Sequence, residues 1–159
     1  MLVWQNSMPV SFKVVDNRTN VSKKIEQLNN QLENYGKYFL EGMATEIVLN
    51  SPVDTGTYMD AHSLGNTRAK GLVTSTGKPK GQSHNEYAQA ARDRLVASIE
   101  SLGENWTNAI FSNNAAHAYL VEYAFGSDDG RGTYGAPYTI ARNKAPIIAQ
   151  EAAQRAKGS

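Results

Sequence analysis

The sequence predicts one domain that mixes long helices with a few short strands, and three observations carry that expectation. Apolar residues recur at steps of three and four from Val21 to Ile47. Val10, Phe12 and Val14 alternate with polar neighbours at a period of two. Two glycine-rich stretches, 63–85 and 127–137, separate segments that are otherwise periodic. A length of 159 residues suits a single hydrophobic core, so the whole chain, 1–159, is read as one domain.

In chain order, residues 1–8 read as a loose arm ahead of Pro9. Val10 to Val14 has the alternation of a half-buried strand. The run from Asp16 to Asn20 supplies turn and N-cap chemistry. Then comes the stripe Val21, Ile25, Leu28, Leu32, Tyr35, Phe39, Met43, Ile47, one face of a long amphipathic helix that Pro52 ends. At ~1.5 Å per residue it spans roughly 40 Å. Its stripe is expected to pack on the core of its own domain rather than on a partner helix.

Residues 63–85 contain no acid but carry Arg68, Lys70, Lys78 and Lys80. A stretch this long is expected to be an extended loop or a projecting hairpin, with a short strand at Leu72–Ser75. Tyr87, Ala91, Leu95 and Ile99 mark one face of a second helix over Glu86–Ser101. Trp106, Ala109, Ile110 and Phe111 suggest a strand, and residues 113–126 a cap and a short helix closed by Gly126. After the 127–137 loop, the tail from Pro146 to Lys157 is helical, with Pro146 in the first turn. There is no internal repeat.

Sixteen Lys and Arg against fifteen Asp and Glu leave a net charge of +1, with no global pull toward nucleic acid or an anionic membrane. The absence of cysteine excludes disulfides and thiolate metal sites. No stretch approaches the ~20 apolar residues of a membrane span. Met1 to Asn6 lacks the basic flank and length of a signal peptide, so a soluble, unsecreted chain is expected.

Asp54-Thr55-Gly56 spells the signature of an aspartic peptidase, where two carboxylates on loops after apolar strands share a proton. Here one copy follows a helix ended by proline, so that chemistry would need a dimer and lacks its strand context. The simpler reading has Asp54 or Thr55 capping the next helical turn while Gly56 relaxes the corner. Gly71 to Lys78 approaches a phosphate-binding loop, yet it has five residues between its glycines and Pro79 where Ser or Thr belongs. His62, His84 and His117 have no metal-ligand spacing and are expected at the surface or partly buried. No catalytic group, metal or cofactor is expected.

Three separated pieces are similar to one family. "NSPVDTGTYMDAHS" (50–63) resembles the Pro-Val-Asp-Thr-Gly segment of phage tail-completion proteins. "AHAYLVEYAFG" (116–126) looks like that family's Val-Glu-Tyr-Gly segment, with Ala124-Phe125 interrupting it, and "GAPYTIARNKAPIIAQEAAQRA" (135–156) is similar to its closing helix. The stretch at 63–85 is longer than the family's usual connection.

The resemblance implies an α+β domain, a small and mainly antiparallel sheet packed on the long helix with the C-terminal helix alongside. It makes Pro52, Asp54, Thr55, Gly56, Tyr119, Glu122, Gly126 and Pro137 structural signposts. It also implies a ring of identical subunits in the neck of a tailed phage, between a portal, adaptor or stopper protein and a tail terminator or tube protein. Genomic DNA would be met by proximity only, in a virion assembled in the host cytoplasm. The alternative is a nucleic-acid-binding module using Arg68, Lys70, Lys78 and Lys80, although that loop offers no aromatic stacking platform. A dimeric aspartic peptidase comes third.

Overall fold

The computed structural model describes residues 18–52, 56–73, 83–123 and 136–158. Five α-helices and two strands lie in the described residues. They are α1 (Arg18–Leu49), α2 (Thr57–Asp60), β1 (His62–Gly65), α3 (His84–Leu102), β2 (Ile110–Asn113), α4 (Ala118–Tyr123) and α5 (Pro137–Lys157), with a 3₁₀ segment at Gly103–Asn108. The α+β class holds: a two-stranded antiparallel sheet sits beside a long N-terminal and a C-terminal helix. The expected strand at Val10–Val14, the N-terminal arm and the 127–135 part of the second loop fall outside the described residues.

Helix α1 is the spine. Its C-terminal half buries Leu40, Ala44, Ile47 and Val48, and both α3 and α5 pack along it. Both run antiparallel to it. On α3, Arg92 reaches Thr45 and Glu100 meets Lys37; on α5, Lys144 pairs with Glu46 and Arg155 with Glu41. Close approach is secured by small residues. A Cβ on Gly36 would lie 2.3 Å from the Trp106 ring, and one on Gly42 2.4 Å from Ile148 Cγ2. Small Ala141, Ala152 and Ala156 face α1 from α5, which is where the absence of bulk lets two helices meet closely.

One expectation for α1 is overturned. Tyr35 and Phe39 stack on one another and Tyr35 meets Trp106 edge-on, so the stripe enters the core there. Val21, Ile25, Leu28 and Leu32 remain 53–56% exposed. The reason is length: α3 and α5 both run out near residue 36, and α1 carries on past them. A period of 3.6 marks an apolar face but cannot tell whether the chain itself covers it.

Other departures are local. Helix α3 starts two residues early, because Ser83 and Glu86 form a capping box, Glu86 N–H donating to Ser83 Oγ and Ser83 N–H to the Glu86 carboxylate. Trp106 lies in the 3₁₀ segment, not in a strand. Helix α5 starts nine residues before the expected Pro146. Pro137 occupies the first turn, while exposed Pro146 sits inside the helix, where it withholds one backbone hydrogen bond. Of the 63–85 stretch, residues 63–65 belong to β1, Val73 makes one parallel bridge to Ala115, and 74–82 lie outside the described residues. The strands pair His62 with Asn113 and Gly65 with Ile110, so His62 ends up over the core.

Candidate functional site

A buried polar knot centres on His62, 7% exposed at the start of β1, where expectation placed a surface or partly buried residue. Ser51 Oγ lies 2.8 Å from its Nε2 and 2.6 Å from the Ile47 carbonyl. The serine has one proton and donates it to that carbonyl, so Nε2 carries the hydrogen and donates to Ser51. Nδ1 then accepts, from the Tyr138 hydroxyl at 2.9 Å and from the Asn113 amide at 3.1 Å. Asn113 is itself oriented by donating to the Tyr58 carbonyl and accepting from the Ala115 N–H. The Tyr58 ring stands edge-on to the imidazole, centroids 5.0 Å apart.

Electrostatics keep the knot neutral. Burial, with a smaller push from Arg94, lowers the His62 pKa from 6.5 to about 3. Burial likewise raises the Tyr58 and Tyr138 hydroxyls well above their ordinary value, Glu122 adding to both, and Tyr58 adding to Tyr138. A Ser–His pair at 2.8 Å invites comparison with a nucleophile and its base. A base must offer Nε2 as a lone pair to the serine hydroxyl, and here the proton points the other way. Ser51 is moreover fully buried. This pair locks the end of α1 to β1.

Beside the knot, Glu122 on α4 caps α5. Ala136, the N-cap of α5, has φ 47° and no side chain that could cap the helix. The Glu122 carboxylate replaces one, accepting from the Tyr138 N–H at 3.2 Å, the Thr139 N–H at 2.7 Å and the Thr139 hydroxyl at 2.6 Å. A negative charge on the first N–H groups of a helix is favoured by both hydrogen bonding and the helix dipole.

Gly56 adopts φ 81°, and its missing Cβ leaves room for the Tyr87 hydroxyl, which a Cβ would approach to 2.5 Å. The positive φ at this corner is one glycine adopts without strain, and Gly56 occupies the N-cap of α2. Asp54, Thr55, Gly126, Lys78 and Lys80 lie outside the described residues. Pro52 follows the buried Ser51, Pro137 is buried at the start of α5, and Tyr119 is 71% exposed. Arg68 and Lys70 are exposed. The sequence reading missed Ser51, Tyr58, His62, Asn113 and Tyr138 as a unit, because their partners come from four separate segments.

The knot floors an open cleft of about 610 Å³ between α4, α5 and the sheet. Tyr119 and Tyr123, rings 4.7 Å apart, form one wall, and Arg68 and Arg142 stand at its edge. Among the described residues, no group of three His, Asp or Glu could hold a metal ion, and no helix is long and apolar enough to cross a membrane. Compared with protein-family models, curated proteins and solved structures, the chain matches none.

Proposed function

We propose that this chain is a structural virion protein of a tailed bacteriophage that forms a ring in the neck and joins the DNA-filled head to the tail, without catalysing a reaction. One observation carries the reading. The three segments that resemble tail-completion proteins meet around Tyr138: its hydroxyl joins Ser51, Tyr58 and His62 of the first segment in the knot, and Glu122 of the second caps the backbone of Tyr138 and Thr139 beside it.

Two further features support a part built for assembly. The knot spends its buried polar groups on one another. Large apolar side chains instead remain on the surface, on the projecting half of α1 and along α4. A ring uses such unlike faces, each subunit offering one to its neighbour's other. In this reading the neighbours beyond the ring are a portal, adaptor or stopper protein on one side and a tail terminator or tube protein on the other. Genomic DNA passes the ring by proximity.

Removal of the gene from a phage that carries it tests the role. The lysate should hold DNA-filled heads and separate tails, or heads that leak DNA where the tail assembles on the capsid. Normal infectious particles would sink the proposal. If Arg68, Lys70, Lys78 and Lys80 serve nucleic acid instead, purified protein should bind DNA with a steep salt dependence while remaining monomeric.

A further inference from the structure

The cleft between α4, α5 and the sheet holds hydrogen-bond donors that the described residues leave unused. Tyr58 lines it and is only 3% exposed. Its hydroxyl has no hydrogen-bond partner among the described residues, where every side-chain nitrogen or oxygen sealed from solvent does have one. The hydroxyl is therefore not sealed, and it emerges into the cleft that Tyr58 lines. Burial, with Glu122 adding to it, raises the hydroxyl well above its ordinary pKa, so it stays protonated and acts as a donor. Arg68 and Arg142 are exposed at the rim, and neither has a hydrogen bond or ion pair among the described residues. The carboxylate in the lining, Glu122, is occupied by its three hydrogen bonds to the start of α5.

Beside these donors stands a pair of rings. Tyr119 and Tyr123, one turn apart on α4, are 71% and 67% exposed, with centroids 4.7 Å apart. The stretch that carries Arg68 has no aromatic residue of its own, and the fold supplies two from a distant segment. A ligand that uses every one of these groups needs a flat ring for the tyrosines, an anionic group for the guanidiniums and an acceptor near the ring for the Tyr58 hydroxyl. A fatty acid lacks the ring, and a simple anion lacks both ring and second acceptor. A nucleotide has all three, in its base, its phosphate, and the carbonyls and ring nitrogens of the base edge. The cleft's volume of about 610 Å³ falls within the ~300–1,000 Å³ of small-molecule sites.

We propose that this cleft binds an unpaired nucleotide, with the base against Tyr119 and Tyr123, the phosphate on Arg68 and Arg142, and a base acceptor on the Tyr58 hydroxyl. The same chemistry comes from a free nucleoside phosphate or from an unpaired residue of a nucleic-acid strand. A base inside a duplex has its faces covered by its neighbours and its pairing edge occupied, so the site discriminates against double strands. Two arginines neutralise at most two phosphates, which sets a shallow salt dependence, a slope of roughly −1.4 on a log–log scale for a single strand. That separates the site from a purely electrostatic use of the cations in 63–85. The inference goes beyond the neck reading and stands without it.

Fluorescence anisotropy of a labelled oligothymidylate with the purified full-length protein tests it, with thymidine monophosphate, thymidine and inorganic phosphate as competitors. The strand should bind, and annealing it to its complement should weaken binding about tenfold or more. Thymidine monophosphate should displace it better than thymidine or phosphate if the free nucleotide is the ligand; if only the strand binds, the ligand is an unpaired residue of nucleic acid. Tyr119→Ala with Tyr123→Ala should weaken binding about tenfold or more. Tyr58→Phe should weaken it about threefold while melting like the parent, because the hydroxyl it removes has no partner in the chain. Arg142→Gln, on an exposed position, should also weaken it, and it carries the test if the double alanine variant fails to fold. Lys24→Ala, on the projecting half of α1, should change nothing. The proposal is overturned if neither strand nor nucleotide binds at ~1 mM protein, a concentration at which even non-specific contacts register. It is equally overturned if the duplex binds as well as the strand, if phosphate competes as well as the nucleotide, or if the tyrosine and Arg142 variants bind like the parent. Binding together with a normal lysate from the deleted phage would keep this site and remove the neck role.

Discussion

Replacing Glu122 by alanine should cost more than any other single change on an exposed or half-buried helix of this protein. Its carboxylate accepts two N–H groups and a hydroxyl at the start of α5. Loss of a capping side chain costs ~1 kcal/mol, and hydrogen bonds to a charged group contribute about 1.5–3 kcal/mol in net terms. The helix dipole adds ~0.3–1 kcal/mol. These contributions overlap, so about 2–4 kcal/mol is expected for Glu122→Ala. Glu122→Gln, which keeps one acceptor oxygen and loses the charge, should cost about half that. For a chain near 150 residues, 1 kcal/mol moves Tm by roughly 2–4 °C, so Glu122→Ala should melt on the order of 4–16 °C lower. Urea unfolding followed by circular dichroism gives the free energy directly. A double-mutant cycle with Thr139→Val isolates the pair, with a coupling of about 1 kcal/mol or more expected. If Glu122→Ala moves stability by less than ~0.5 kcal/mol, the cap contributes nothing and the meeting of the second and third family-like segments loses its energetic basis.

Gly56→Ala should destabilise by about 2–3 kcal/mol in the same unfolding experiment, since φ 81° is strained for alanine and the new Cβ would displace the Tyr87 hydroxyl from Asp60; an unchanged midpoint contradicts the corner. Gly36→Ala should also destabilise, by ~1–3 kcal/mol through overpacking against Trp106, although alanine in an exposed helix normally gains ~1 kcal/mol over glycine; a stabilised variant would mean that α1 does not press on that ring. Acid should weaken the fold through His62. The unfolded imidazole takes up its proton near 6.5 while the folded one resists to about 3, so the unfolded state binds more protons in that window and stability falls as the pH is lowered through it. Between pH 6.5 and 5 the loss should be about 2 kcal/mol, and His62→Gln should flatten that slope; an identical slope in the variant refutes the buried neutral imidazole.

What could be read from the sequence was whatever local period and local chemistry decide. The stripe of α1, the faces of α3 and the glycine corner at Gly56 all follow from spacing or from one residue's backbone freedom. The start of α5 did not, because the residues from Tyr138 to Ala145 mix β-branched, small and charged side chains and Pro146 looks like a beginning. Helix is enforced there by Glu122, fifteen residues before Pro137 in the chain, a partner that no local rule supplies. His62 was invisible for the same reason: its three side-chain partners lie 11, 51 and 76 residues away. The exposed half of α1 was read as core because periodicity reports an apolar face and says nothing of where its cover comes from.

Electron microscopy of intact phage particles labelled on this protein tests the central claim most directly. The account predicts label confined to the junction of head and tail, in several copies per particle arranged about the tail axis. Label on the capsid shell, along the tail shaft or at the fibres, or particles with none, would contradict it.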